Sequence, residues 1–177
     1  MRVNEASPDT FEGSLNDDQL ISRLWMAKRL NDTGIPVKKC VVLGSWYGLV
    51  PYILRKINRI PTIVAIDNDQ KYLDKSMKLN PHIEHICSNV DDIEYSDYQC
   101  IVNPSINNIT GDKWYKNIPE GKLCLFQTED IEVEKHCPSN LQGLKTKFPL
   151  SKYLYEGTLS CKDKDGPYTR SMIIGYK

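Results

Sequence analysis

Lys39-Cys40-Val41-Val42-Leu43-Gly44-Ser45-Trp46-Tyr47-Gly48 carries a short apolar run to a glycine, with a second glycine four residues on. A second apolar run, Ile63-Val64-Ala65-Ile66, ends in Asp67 about twenty residues downstream of the first. A strand, a tight turn, a helix and a strand closed by a carboxylate is how an α/β chain holds a nucleoside. The glycines let backbone approach a ligand, and the carboxylate accepts both ribose hydroxyls. Asp67 could instead cap the following helix, but Asn68 or Asp69 can do that work. The loop is not G-x-G-x-x-G. Trp46 and Tyr47 crowd a cradle in which backbone amides would have to meet a pyrophosphate, or else they pack on the preceding helix. Further candidates are the turn Ser88-Asn89-Val90-Asp91-Asp92-Ile93 and Ile101-Val102-Asn103-Pro104-Ser105-Ile106-Asn107-Asn108. Gln127 and His136 are plausible pocket residues. Arg170 either pairs with a carboxylate in the sheet or faces solvent.

These residues need a scaffold, and the apolar pattern supplies it. Residues 17–30 read as a helix, with Asn16 or Asp17 as cap and Leu20, Ile21, Leu24, Trp25 and Leu30 on one face. Gly34 and Pro36 stop it. Strands are expected at 39–43, 62–67, 83–87, 98–103 and 122–127, with helices at 48–59 and 69–79 between the first three. Pro51 falls in a first helical turn, where it is tolerated. That alternation marks a parallel sheet. Residues 152–159 and 169–176 then alternate with period two around a polar loop holding Gly166-Pro167, an antiparallel hairpin. The expected architecture is α/β: a Rossmann-like, mostly parallel sheet with helices on both faces and a C-terminal antiparallel hairpin. Residues 1–14 read as a flexible polar arm and 15–177 as one domain.

The chain has 177 residues, 23 basic and 23 acidic, so no global charge draws it to nucleic acid or anionic membrane. No apolar run reaches the roughly 20 residues of a membrane span, and the polar start does not read as a signal peptide. Six cysteines without a CxxC pair read as buried free thiols rather than a zinc site, with Cys40, Cys87, Cys100 and Cys124 in or beside strands. A cytoplasmic protein is the expectation, and no metal site is expected.

The terminal hairpin and the Gly44–Asp67 unit together resemble class I S-adenosylmethionine-dependent methyltransferases over residues 38–176. More narrowly, the chain resembles small, mostly uncharacterised methyltransferase-like proteins of tailed bacteriophages, which would place it in the host cytoplasm. The matching pieces are Gln19-Leu20-Ile21-Ser22-Arg23-Leu24-Trp25, Val42 through Gly48, Val102-Asn103-Pro104-Ser105, Trp114 through Pro119, Leu125-Phe126-Gln127 and His136. Pro149 through Gly157 and Tyr168 through Gly175 match most clearly.

The resemblance implies S-adenosylmethionine as the ligand, which carries a sulfonium that Trp46 and Tyr47 can favour. It implies Gly44, Ser45, Trp46, Tyr47 and Gly48 near the methionine part, and Asp67 with Asn68 at the ribose. Asn89, Val90 and Asp91 or Asp92 would meet the adenine, unless the two acids simply sit exposed in a turn. Amino-methyltransferases hold an amine with Asn/Asp-Pro-Pro-aromatic after strand four. Here Asn103-Pro104 is followed by Ser105-Ile106, so Asn103, Ser105 and Asn107 become the residues expected to orient an acceptor. In the phage group that stretch usually reads Asn-Thr-Ser-Cys-Glu-His, and this chain has Asn107 and Asn108 where the acid and the imidazole stand.

The expected activity is therefore methyl transfer to a small molecule or nucleobase amine, driven by proximity because the donor is already activated. Rival readings are cleavage of the same ligand, transfer of its aminocarboxypropyl group, or a non-catalytic binding module acting on a host protein. A nicotinamide oxidoreductase is disfavoured by the aromatic loop and the hairpin. No basic run, zinc knuckle or aromatic series signals sequence-specific nucleic-acid recognition.

Overall fold

Strands covered on both faces are apolar at successive positions, and four segments of this chain meet that condition. They are β1 (Lys39–Leu43), β2 (Thr62–Asp67), β4 (Cys100–Asn103) and β5 (Leu123–Glu129), buried at nearly every residue. β3 (Glu84–Cys87) lies at the sheet edge and is only half covered. The computed structural model describes residues 17–130, 137–163 and 166–177. The expected arm at 1–14 and His136 lie outside them.

β6 (Lys152–Asp163) and β7 (Gly166–Tyr176) complete a seven-stranded sheet of order β3-β2-β1-β4-β5-β7-β6. β1 to β5 run parallel, and β7 is antiparallel to both β5 and β6. Period-two alternation divides the core. Val42 joins Met26, Leu30, Ile53, Ile63 and Met172 on one face. Val41 joins Ile101, Trp114, Phe126, Phe148 and Ile173 on the other. Helices α1 (Asp17–Asp32) and α2 (Leu49–Ile57) cover the first face. The short α4 (Lys113–Asn117) and α5 (Leu141–Lys147) cover the second. Between β2 and β3 runs α3 (Gln70–Leu79). Among the described residues no helix is long and apolar enough to cross a membrane.

Three expectations are corrected. The hairpin is longer than 152–159 and 169–176: Lys162 pairs with Pro167 and Asp163 with Gly166, inside the expected loop. Proline is tolerated there because β5 pairs with β7 only as far as Arg170, so no β5 residue needs an amide from Pro167. Cys87 is exposed at the end of the edge strand, whereas Cys40, Cys100 and Cys124 are buried; all six thiols are free. The third correction concerns α1. It buries Ser22, Arg23, Met26, Ala27 and Leu30, and leaves Leu20, Ile21 and Leu24 between 37% and 50% exposed. The helix is rotated so that the Arg23 guanidinium, rather than Leu20, Ile21 and Leu24, faces inward. A buried arginine persists only where acceptors meet it, and those acceptors belong to the site.

Candidate functional site

In a doubly wound sheet the crevice opens at the carboxyl ends of the strands where chain direction reverses. Here that point is between β1 and β4. β1 passes directly into Gly44 (φ +57°), Trp46 (φ +49°) and Gly48 (φ +82°), three left-handed residues in five. The turn is clasped to β2: Ser45 N donates to Ile66 O at 2.8 Å, and Trp46 N donates to Asp67 Oδ2 at 2.8 Å. Asp67 Oδ1 accepts from Asp69 N at 3.1 Å. Asp69, not Asp67, caps α3 by accepting from Lys71 N. Burial pushes the Asp67 carboxyl above its ordinary range, and the amides of Asp69 and Trp46 oppose that. Each carboxylate oxygen has taken one amide and keeps acceptor capacity for a hydroxyl.

The two glycines differ in what requires them. A Cβ on Gly44 would meet only Ile109 Cδ1, at 3.7 Å, so the backbone there stands open to the cavity. A Cβ on Gly48 would sit 2.2 Å from Ser76 Oγ and 2.5 Å from Asn80 Nδ2. Gly48 therefore serves the contact with α3 and is not on the cavity wall. Between the glycines, the Trp46 ring lies 4.7 Å from that of Tyr47 and edge-on to Tyr72 at 6.3 Å. The aromatic pair thus packs on α3 rather than on α1.

A cavity of about 550 Å³ follows, within the range of small-molecule sites. Its wall includes Gly44, Ser45, Trp46, Tyr47, Asp67, Asn68, Asn89, Val90, Asp91 and Ser105. Two polar atoms on this wall are buried without a protein partner: Ser45 Oγ and Asp91 Oδ1. Asn89 caps the 3-10 turn Val90–Asp92 by accepting from Asp91 N at 2.9 Å. That turn sends the two acids apart. Asp91 faces the cavity, while Asp92 is off its wall, 68% exposed and 3.9 Å from Lys113.

At the end of β4 the expected trio is also divided. Ser105 is on the wall. Asn103 is fully buried behind it, its Oδ1 accepting from Ser105 N at 3.2 Å. Asn107 is buried and donates to Glu129 Oε1 at 2.9 Å.

The residue that sequence reasoning overlooked is Arg23. Its side chain lines the cavity and donates to Pro104 O (2.6 Å), Gln127 Oε1 (2.5 Å), Gln19 Oε1 (3.0 Å) and Ser105 Oγ (3.0 Å). Arg170 is resolved in favour of pairing: it is 2% exposed and 2.8 Å from Glu129 Oε2. It shares Gln127 Oε1 with Arg23, at 3.3 Å. Burial, helped by the neighbouring Arg170 and opposed by Glu129, lowers the Arg23 pKa to about 9. The available signal was Ser22-Arg23 followed by Met26, Ala27 and Leu30, a second arc at helical spacing within a stretch already matched by resemblance.

The sheet order, its single antiparallel strand and a crevice at the β1–β4 switch point define the class I methyltransferase fold. Solved structures agree. The N-methyltransferase NodS from Bradyrhizobium japonicum, determined with S-adenosyl-L-homocysteine, superposes with TM-score 0.67 at 12% identity, over 96% of this chain and 93% of that one. A Thermoplasma acidophilum protein gives 0.70 at 10% identity, over 93% and 92%. The plantazolicin methyltransferase BpumL, also with S-adenosyl-L-homocysteine, gives 0.59 at 8%, over 88% and 83%. No family model and no curated protein matches the sequence.

Proposed function

We propose that the cavity binds S-adenosylmethionine and that the protein transfers its methyl group to a small molecule or a nucleobase amine. The observation that carries this reading is the pairing of a clasped Asp67 with Asp91 Oδ1, a buried acceptor left unpartnered on the same wall. One can take the ribose hydroxyls and the other an adenine amino group, with Asn68, Asn89 and Val90 beside them. Gly44 and Ser45 leave open backbone and a spare hydroxyl for the methionine part, and Trp46 offers a ring to a sulfonium. Bound there, the ligand supplies a methyl that moves to the acceptor's lone pair, the S–C electron pair staying on sulfur and the amine's proton passing to solvent.

The chain's own contribution is placement. Ser105, fixed by Asn103 and Arg23, faces the acceptor, while Asn107 acts from behind through Glu129. Nothing in this trio is basic, which suits a neutral amine that attacks an activated methyl with its lone pair and loses its proton to solvent afterwards. The test is incubation with methyl-tritiated S-adenosylmethionine and fractionated metabolite and nucleoside pools. Label in an acceptor fraction with equal release of S-adenosylhomocysteine supports the reading. Tight binding of both nucleosides with no transfer to any pool would instead favour the non-catalytic binding module.

A further inference from the structure

The cavity is electrically divided, and the division follows the sheet. Asp67 and Asp91 stand at the ends of β2 and β3, on one side of β1. Arg23, Ser105 and Glu129 stand over β4 and β5, on the other side. Resting on the assignment of the first side to the nucleoside, the second side is where an acceptor must enter.

That second side holds more positive charge than its partners neutralise. Two guanidiniums, Arg23 and Arg170, are 7% and 2% exposed. The carboxylate among them is Glu129, and both its oxygens are engaged: Oε2 by Arg170 at 2.8 Å, Oε1 by the Asn107 amide at 2.9 Å. Arg23 has four neutral acceptors and no ion pair of its own among the described residues. A buried cation satisfied only by neutral oxygens is a costly arrangement unless something else supplies the counter-charge. Gln127 adds to it. Because its Oε1 is claimed by both guanidiniums, the orientation of its amide is fixed, and its Nε2 donor is buried without a partner. Arg23 itself reaches the cavity wall beside Ser105.

We propose that this end of the cavity is an oxyanion subsite, and that the methyl acceptor carries a carboxylate or phosphate seated against Arg23 and Ser105. The guanidinium's N–H donors are already engaged by neutral acceptors, so it is its positive charge, which a lysine would also supply, that attracts either group. Glu129 offsets one of the two guanidinium charges, so the cluster of Arg23, Arg170 and Glu129 keeps one positive charge for the anion.

The test is a titration of sodium phosphate, and separately of sodium acetate, into protein saturated with S-adenosylhomocysteine. Ionic strength is held with chloride and backbone amide resonances are followed. Saturable shifts at Ser105 and Asn108, at least tenfold weaker in Arg23→Met and largely kept in Arg23→Lys, are expected. S-adenosylhomocysteine affinity should stay within threefold across the three proteins. Which of the two anions binds more tightly names the group. Shifts absent from wild type, or equal in Arg23→Met, overturn the proposal. So does an anion that S-adenosylhomocysteine displaces, or a tenfold loss of nucleoside affinity in Arg23→Met, since Arg23 would then serve the donor's own carboxylate. If Arg23→Met does not fold, the position of the wild-type shifts decides, and shifts at Asp67 and Asn68 instead of Ser105 contradict it. Failure of S-adenosylhomocysteine to bind wild type is a separate result against the proposed function; phosphate titrated into the unliganded protein then still reads the subsite.

Discussion

Trp46 holds a backbone conformation, φ +49°, that glycine adopts freely and a bulky residue adopts at a cost of about 1–2 kcal/mol. Its contacts with Tyr47 and Tyr72 return about 0.5–1.5 kcal/mol each. The two effects nearly cancel, so for folding alone the tryptophan has no clear advantage over glycine. We propose that the ring stands on the cavity wall to serve the ligand. Trp46→Gly should melt within about 4 °C of wild type, because a net change near 1 kcal/mol moves a chain of this size by only that much. The same variant should bind S-adenosylhomocysteine about tenfold more weakly, the loss of one ring contact worth about 1.4 kcal/mol. Thermal unfolding and calorimetry on one preparation check both halves. A large fall in melting temperature with unchanged affinity would make Trp46 a packing residue.

At the scale of elements, the two loop glycines predict opposite outcomes. Gly48→Ala puts a methyl group inside contact distance of Ser76 and Asn80 and strains φ +82°, so α2 and α3 must part. A loss of at least about 2 kcal/mol in urea unfolding is expected. Gly44→Ala meets open space apart from Ile109 and carries only the conformational cost of about 1–2 kcal/mol. Its main effect should be weaker ligand binding. The junction of β3 with α3 carries a pH dependence. His85 Nε2 lies 2.9 Å from Ser76 Oγ, and burial holds the ring's pKa below 6.5. The folded state therefore binds this proton less readily than the unfolded one, and stability falls as pH drops below about 6.5. His85→Gln should lose less stability than wild type between pH 7.5 and pH 5.5 in paired urea titrations. An identical pH slope in the two proteins would remove His85 from that account.

Over the whole molecule, what was legible depended on how local its cause was. β1 and β2 lie where their apolar runs put them, because burial on both faces writes itself into consecutive residues. The glycine turn and Asp67 were legible for the same reason, lying within one strand-turn-helix-strand unit. The rotation of α1 was not. It is set by Arg23 reaching acceptors 81 and 104 residues away, and no helical periodicity encodes partners at that distance. The joining of Arg170 to Glu129 depends on the antiparallel register of β5 with β7, which a list of strands does not supply. The choice of Asp91 over Asp92 rests on a single 3-10 turn, finer than any composition signal.

Whether the crevice is a nucleoside site organised by Asp67 is read out by calorimetric titration. S-adenosylmethionine and S-adenosylhomocysteine would be titrated into wild type and Asp67→Ala, with thermal unfolding of both proteins as the control for folding. Two hydroxyls hydrogen-bonded to one carboxylate, at about 1.5–3 kcal/mol for a bond to a charged group, predict binding by wild type and a loss of at least about tenfold in the variant. A wild type that binds neither nucleoside at millimolar concentration, or a folded Asp67→Ala that binds them equally well, would contradict that reading.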